Sequence, residues 1–288
     1  MNDFKGKVAV ITGAGNGFGL EFAKECASRE MKLVIADIDR EDLFRTEQLV
    51  KEMGAEVLAV PTDVSLYEEI ANLADQTVKA FGSVDLLFNN AGVVVPGPLW
   101  EIPVNDWKWI MDVNVNGIAY GLKAFIPIML KQNTPCHIVN TASVAGLLTT
   151  QNMAAYHTSK HASVALTESI NLQLQAIKSK IKMSVFCPGF VQTDLHHCDR
   201  HRPERYAIDP NEPYYQSQTF KAGLERAHHV ITTGIPIDTI AQSVFSAIEQ
   251  EKFYILTHPQ YNPVIGKRVK DMLEGVNPNV EFFIKNQA

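Results

Sequence analysis

Short runs of β-branched and aliphatic residues alternate along this chain with longer stretches of helical periodicity, and that alternation restricts the fold more than any other feature. The strand-like runs fall at residues 8–11, 33–36, 57–60, 86–88, 137–139, 183–186 and 253–256. Between them the pattern predicts helices over about 17–29, from near 40 to Gly54, from Ser65 onward, over 104–131, from Tyr156 to about 179, and over 237–251. Strands separated by helices pair in parallel, with helices covering both faces, so the expected class is α/β. The expected architecture is a doubly wound, Rossmann-like parallel sheet in three layers, α/β/α. Ser65, with Glu68 three residues on, reads as a capping pair for its helix.

A length of 288 residues would suit two domains at roughly 150 residues each, but the prior is soft for α/β chains. No composition shift marks a linker, so residues 1–288 are expected to form a single domain. Two parts break the rhythm. The polar, proline-bearing stretch at about 194–236 follows the sixth strand, where a long insertion reads as a substrate lid. The tail at about 258–288, with a helix-like stretch over 264–273, reads as a C-terminal extension.

Charge excludes some classes of partner. Twenty-six basic against thirty-two acidic residues leave a net charge of -6, which argues against a nucleic-acid backbone and supplies no polybasic membrane patch. No apolar run reaches the ~18 residues of a membrane span, and the first residues lack the signal-peptide pattern, so a cytoplasmic protein is expected. Cys26, Cys136, Cys187 and Cys198 have no CxxC spacing and read as buried thiols.

The first strand runs into Thr12-Gly13-Ala14-Gly15-Asn16-Gly17-Phe18-Gly19. This is not the strict G-x-G-x-x-G pattern. Its glycines still permit a tight turn and close backbone approach to a pyrophosphate at the positive end of the following helix. Asp37 ends the second strand about twenty residues later, where a carboxylate can accept from the adenosine ribose hydroxyls and repel a 2′-phosphate. NAD is therefore expected over NADP, with Arg40 the one cation in plausible reach of such a phosphate. Asp63-Val64 and Asn89-Asn90-Ala91-Gly92 end the third and fourth strands. Asn114 and Gly117, poor helix formers inside the long helix, predict a local irregularity able to hold a water.

Tyr156 and Lys160, four apart, share one helix face. A cation beside a phenol favours the phenolate, so Lys160 is expected to lower the pKa of Tyr156 and make it a general acid/base. Ser143, thirteen residues earlier, can hydrogen-bond a substrate oxygen.

Taken together, these motifs resemble the short-chain dehydrogenase/reductase family over residues 5–195, joined by Pro188-Gly189 and Thr193 in the family's order. The resemblance implies a tetrad of Asn114, Ser143, Tyr156 and Lys160. It implies a cofactor site built from Gly13, Asn16, Gly17, Phe18, Gly19 and Asp37, with Asp63 and Val64 at the adenine. Asn90 and Lys160 would flank the nicotinamide ribose, near Ala91, Gly92 and Tyr156, and Val191 and Thr193 the carboxamide, after Pro188 and Gly189. It also implies a homo-oligomer packed through the long helices.

The expected reaction interconverts a secondary alcohol and a ketone. Tyr206, Tyr214, Tyr215 and Phe220 in the lid suit a bulky apolar substrate such as a hydroxysteroid. A 3-oxoacyl thioester, a small ketone, and a dinucleotide-binding sensor without turnover are the alternatives. Arg200, Arg202 and Arg205 read as solvated loop charges rather than an anion site. The run His196-His197-Cys198-Asp199-Arg200-His201 has zinc-binding residue types, but contiguous ligands strain the geometry, and no metal is expected. Trp100, Trp107 and Trp109 read as core or subunit packing.

Overall fold

The computed structural model describes residues 1 and 3–280. Its strands are β1 (Val8–Thr12), β2 (Lys32–Asp37), β3 (Val57–Pro61), β4 (Leu86–Asn89), β5 (Cys136–Thr141), β6 (Ile181–Phe186) and β7 (Tyr254–Ile255). All pair in parallel, in the order β3-β2-β1-β4-β5-β6-β7. The order reverses between β1 and β4, which opens a crevice at their carboxyl ends, the usual ligand position of such sheets.

Helices α1 (Gly17–Ser28), α2 (Arg40–Glu52), α3 (Tyr67–Phe81), α4 (Val104–Met111), α5 (Gly117–Gln132) and α6 (Ala154–Ala176) supply the crossovers. Within each strand, successive side chains leave on opposite faces. Ala9 and Ile11 of β1, with Leu33 and Ile35 of β2, pack with Phe22 of α1 and Phe245 of a later helix. Val10, Val34 and Leu87 point the other way and pack with Trp109, Ile118, Leu122 and Phe125. The three layers expected from the alternation are present.

The helix expected over 104–131 is interrupted. A π-helical turn, Asp112–Asn116, separates α4 from α5, at the position where Asn114 and Gly117 weaken the ladder. The combined run Val104–Gln132 is long and apolar enough to cross a membrane, which corrects the expectation that no segment reaches that threshold. Its apolar face packs against the sheet and α3, and this burial accounts for the hydropathy.

Ser65 does not cap α3. The helix begins at Tyr67 after Leu66, without a side-chain cap, and the Ser65 hydroxyl donates instead to Asp63 Oδ1 at 2.5 Å.

Beyond β6 the chain is built rather than loose. Two 3-10 segments (Leu195–His201 and Glu204–Tyr206), α7 (Pro213–Gln216) and α8 (Gln218–Thr232) fill the stretch expected to be a lid, and a bridge between Val191 and Ile235 closes its base. Helix α9 (Ile240–Glu249) then packs on α1, and α10 (Asn262–Glu274) lies in the expected extension, whose residues 281–288 fall outside the described ones.

Candidate active site

The glycine loop and the β4 loop meet at the crevice. Gly13 has a φ of +64°, and a Cβ there would sit 2.7 Å from the Ala91 Cα. A Cβ on Gly19 would overlap the Gly13 carbonyl. Only glycine allows this turn and places the first amides of α1 at its mouth. Asn16 precedes α1 without a side-chain cap bond, leaving those amides to another acceptor. The residues fit a pyrophosphate.

Thr12 was not singled out from sequence, yet its hydroxyl oxygen accepts from Asn90 N at 2.9 Å and lies 3.3 Å from Ala91 N. The Asn90 amide in turn donates to the carbonyls of Thr12 and Gly13, and its Oδ1 accepts from Thr141 Oγ1. These bonds tie the ends of β1, β4 and β5 together. In the sequence Thr12 opens the glycine-loop motif, but nothing local to it shows that its hydroxyl ties neighbouring strand ends. Phe18 is partly buried against the core, edge-on to Phe186 with ring centroids 5.2 Å apart.

Asp37 is buried at the end of β2. Its Oδ2 accepts from Gly15 N at 2.8 Å and its Oδ1 from Asp39 N at 2.9 Å. Desolvation pushes its pKa up while the two amide bonds pull it down. Each oxygen keeps a lone pair for a ribose hydroxyl. Next to it a cavity of about 300 Å³ is lined by Gly15, Asn16, Asp42, Arg45, Asp194 and Arg200. Arg45 and Arg200 are cations that the sequence reading did not bring to this point, and both pair with Asp42, at 2.6 and 2.7 Å.

Of the three arginines expected to be solvated, Arg200 and Arg205 are exposed, with side chains 44% and 37% accessible, whereas Arg202 departs from that expectation. Arg202 is buried, pairs with Asp106 at 2.8 Å and Asp199 at 2.5 Å, and stacks 3.9 Å from the Trp109 ring centroid. Arg205 pairs with Asp63 at 2.5 Å and also donates to Ser65 Oγ. Asp63 and Val64 thus lie under the lid, and Thr193 sits above Gly17, whose Cβ would be 3.6 Å away. The tyrosines are engaged too. Tyr206 donates to Asp112, Tyr215 to Asp106, and Tyr214 to the Pro96 carbonyl. They anchor the lid rather than offer a free aromatic wall. Of the tryptophans, Trp109 is core, Trp107 is partly buried against it, and Trp100 is 86% exposed.

Ser143 lies at the end of β5. Its hydroxyl accepts from Ala145 N at 3.1 Å and lies 3.3 Å from the Pro188 carbonyl, which also accepts from Val144 N. Gly189 N donates to His258 Nδ1, and Val191 is buried at the base of the lid. Tyr156, in the first turn of α6, is pushed up to about 12 by desolvation, with the Ser143 hydroxyl pulling the other way. Lys160 Nζ donates to the Thr141 carbonyl at 3.1 Å and sits 5.8 Å from the Tyr156 ring centroid. Desolvation brings Lys160 down to about 8. In the free protein Tyr156 is therefore raised by burial rather than lowered as expected, and the same burial brings Lys160 down.

That burial carries a stability consequence. The folded protein holds Lys160 at about 8 against an ordinary 10.5, so between these values it binds fewer protons than the unfolded chain, and stability rises with pH. Relative to Lys160→Met, the wild type should gain about 3 kcal/mol between pH 7 and pH 11. Denaturant melts of both proteins in the absence of nucleotide would show this. A pH-independent difference would contradict it.

Asn114 is fully buried. It accepts at Oδ1 from Val93 N (2.8 Å) and donates through Nδ2 to Val93 O (2.9 Å) and Ser159 Oγ (3.0 Å). Its main-chain carbonyl accepts from Ser163 Oγ at 3.1 Å. The π turn thus fixes the segment after β4, and a Cβ on Gly92 would be 3.4 Å from Asn114 Oδ1 and 3.5 Å from Lys160 Nζ.

The sequence matches the family model described as short chain dehydrogenase over residues 7–204. It is 50% identical over 282 residues, 98% of each chain, to the CLA biosynthesis dehydrogenase/reductase of Lactiplantibacillus plantarum. It is 30% identical over 254 residues, 88% of this chain and 83% of the relative, to the 1-deoxy-11-beta-hydroxypentalenate dehydrogenase of Streptomyces exfoliatus. Among solved structures, a short chain dehydrogenase/reductase from Burkholderia phymatum in complex with NAD superposes with a TM-score of 0.94 at 44% identity, covering 97% of this chain and 98% of that one.

Proposed function

The chain belongs to the short-chain dehydrogenase/reductase family of oxidoreductases, and from that premise we propose that it interconverts a secondary alcohol and a ketone with NAD as cofactor. The observation that carries this reading is the meeting of Tyr156, its Ser143 hydrogen-bond partner and the buried Lys160 beside a glycine turn that fits a pyrophosphate.

When bound, the nicotinamide dinucleotide supplies the hydride acceptor or donor. Tyr156 exchanges the proton at the substrate oxygen. With its pKa at about 12 in the free protein, it enters as a neutral phenol, poised to donate in ketone reduction. In alcohol oxidation it must act as the phenolate, which higher pH favours. Ser143 holds the same oxygen where charge develops. Lys160, held by the Thr141 carbonyl, would bind the nicotinamide ribose on this reading. Asn114 holds the main chain of Val93 and is a positioning residue on this reading.

Asp37 supports NAD, as does the Burkholderia phymatum relative in complex with NAD, similar over nearly the whole chain. For the substrate we infer a bulky, lipid-like secondary alcohol or its ketone, such as a hydroxy fatty acid or a hydroxysteroid. The apolar cluster against which Tyr156 packs, with Val94 and Val95, supports it. The relative named for CLA biosynthesis points the same way. The exposed apolar side chains Leu130 and Ile177, on a groove between α5 and α6, support a homo-oligomer. The four cysteines, all buried and free, support a reducing, cytoplasmic setting.

Steady-state assays of hydroxy fatty acids, steroids, 3-oxoacyl thioesters and small ketones with both cofactors would test the reading. The expected outcome is turnover with NAD(H) and a kcat/KM that increases with the apolar length of the substrate. Preference for small ketones or thioesters would overturn the substrate class, and cofactor binding without any turnover would favour a sensor.

A further inference from the structure

Away from the catalytic centre the lid gathers three imidazoles. His196 and His197 are neighbours in the segment Leu195–His201, and His228 comes from α8. One ring nitrogen from each lies within 4.8 Å of the other two. The His196 ring centroid is 3.9 Å from that of His197 and 5.0 Å from that of His228. His196 Nδ1 is shut off from solvent and has no hydrogen-bond partner. A buried polar atom in that state costs about 1–3 kcal/mol unless something satisfies it.

We propose that His196, His197 and His228 form a site for a divalent transition metal of the imidazole-binding class, such as zinc or nickel. The contiguous run His196–His201 does not supply it. Cys198 is turned inward against the Val94 main chain, and His201 pairs with Asp39 at 3.2 Å. The third ligand comes from another helix, which removes the strain that contiguous ligands would carry. Metal–imidazole bonds of about 2.1 Å in a tetrahedral site space the nitrogens about 3.4 Å apart. His197 and His228 are exposed, so their rings can close the remaining distance.

The surroundings suit ligation. His197 Nδ1 lies 2.7 Å from Asp194 Oδ1. A carboxylate accepting from Nδ1–H fixes the tautomer and leaves Nε2 with the lone pair, the arrangement in which an outer carboxylate orients a metal-bound histidine. Asp194 also pairs with Arg200 at 2.8 Å, and Arg200 reaches Asp42 beside the glycine loop. An ion here would tie α8 to the strap that crosses the loop. Three ligands leave a fourth position for water.

The test uses the full-length protein without an affinity tag, stripped with a chelator and titrated calorimetrically with zinc or nickel chloride near neutral pH. The expected result is saturable binding of one equivalent, accompanied by a rise in Tm. His228→Ala should weaken binding by at least about tenfold and abolish the rise in Tm. His229→Ala, the neighbour outside the cluster, should leave both unchanged. Absence of saturable binding would overturn the site, as would binding that His228→Ala leaves intact or that both variants weaken equally. Because the readouts are affinity and Tm, a failure here is separable from a failure of the proposed oxidoreductase reading.

Discussion

Tyr156→Phe is expected to lower kcat by about a hundred- to ten-thousand-fold, the usual contribution of a positioned acid/base group. Dinucleotide affinity should stay within about twofold of wild type, because the substitution removes a group used only in the chemical step. The phenylalanine ring keeps the packing of Tyr156 against the core, so the fold has no reason to change. Lys160 keeps its place because its anchor is the Thr141 carbonyl rather than the phenol. Only the oxygen that Ser143 touches is lost. Single-turnover rates with saturating cofactor, read beside fluorescence titrations of NADH, separate the two effects. A variant with more than about a tenth of wild-type turnover would remove Tyr156 from the acid/base role.

Asp37→Ala should weaken NADH binding by about ten- to a hundredfold, the scale of losing one or two hydrogen bonds to a charged acceptor. The same change leaves Gly15 N and Asp39 N without their acceptor, so some stability falls with it. Asp37→Asn provides the control. Its amide oxygen can still accept from one main-chain N–H, so it should lose less stability than the alanine, and having no charge to repel a 2′-phosphate it should lose discrimination against NADPH. Arg45 and Arg200 stand ready at that corner, presently paired with Asp42. Dissociation constants for NADH and NADPH with all three proteins would decide. If the wild type bound NADPH more tightly than NADH, the preference assigned to Asp37 would fall.

The parts of the fold legible in the sequence are those with local causes. The glycine turn was visible because Gly13 must take a positive φ against Ala91. The break at Asn114 was visible because Asn and Gly weaken a helix wherever they sit. The proposed catalytic residues were legible only together with the other motifs, through the family resemblance, because type and spacing alone do not separate Tyr156 and Lys160 from an ordinary helix face. Ser65 shows the limit of such reading: its capping pattern was sound, but Asp63 and Arg205 compete for its hydroxyl across the fold.

The sequence by itself therefore determined the order of strands and helices, the glycine turn, and the shared helix face of Tyr156 and Lys160, while the family resemblance implied that Ser143 joins them. The first three follow from backbone sterics and from the periodicity of apolar burial, which neighbouring residues set among themselves. The tertiary structure alone decided that burial raises Tyr156, that the arginines and tyrosines after β6 are held by Asp42, Asp63, Asp106 and Asp112, and that His228 joins His196 and His197. Desolvation and ion pairing depend on what approaches through space from distant parts of the chain, and no local pattern encodes that approach.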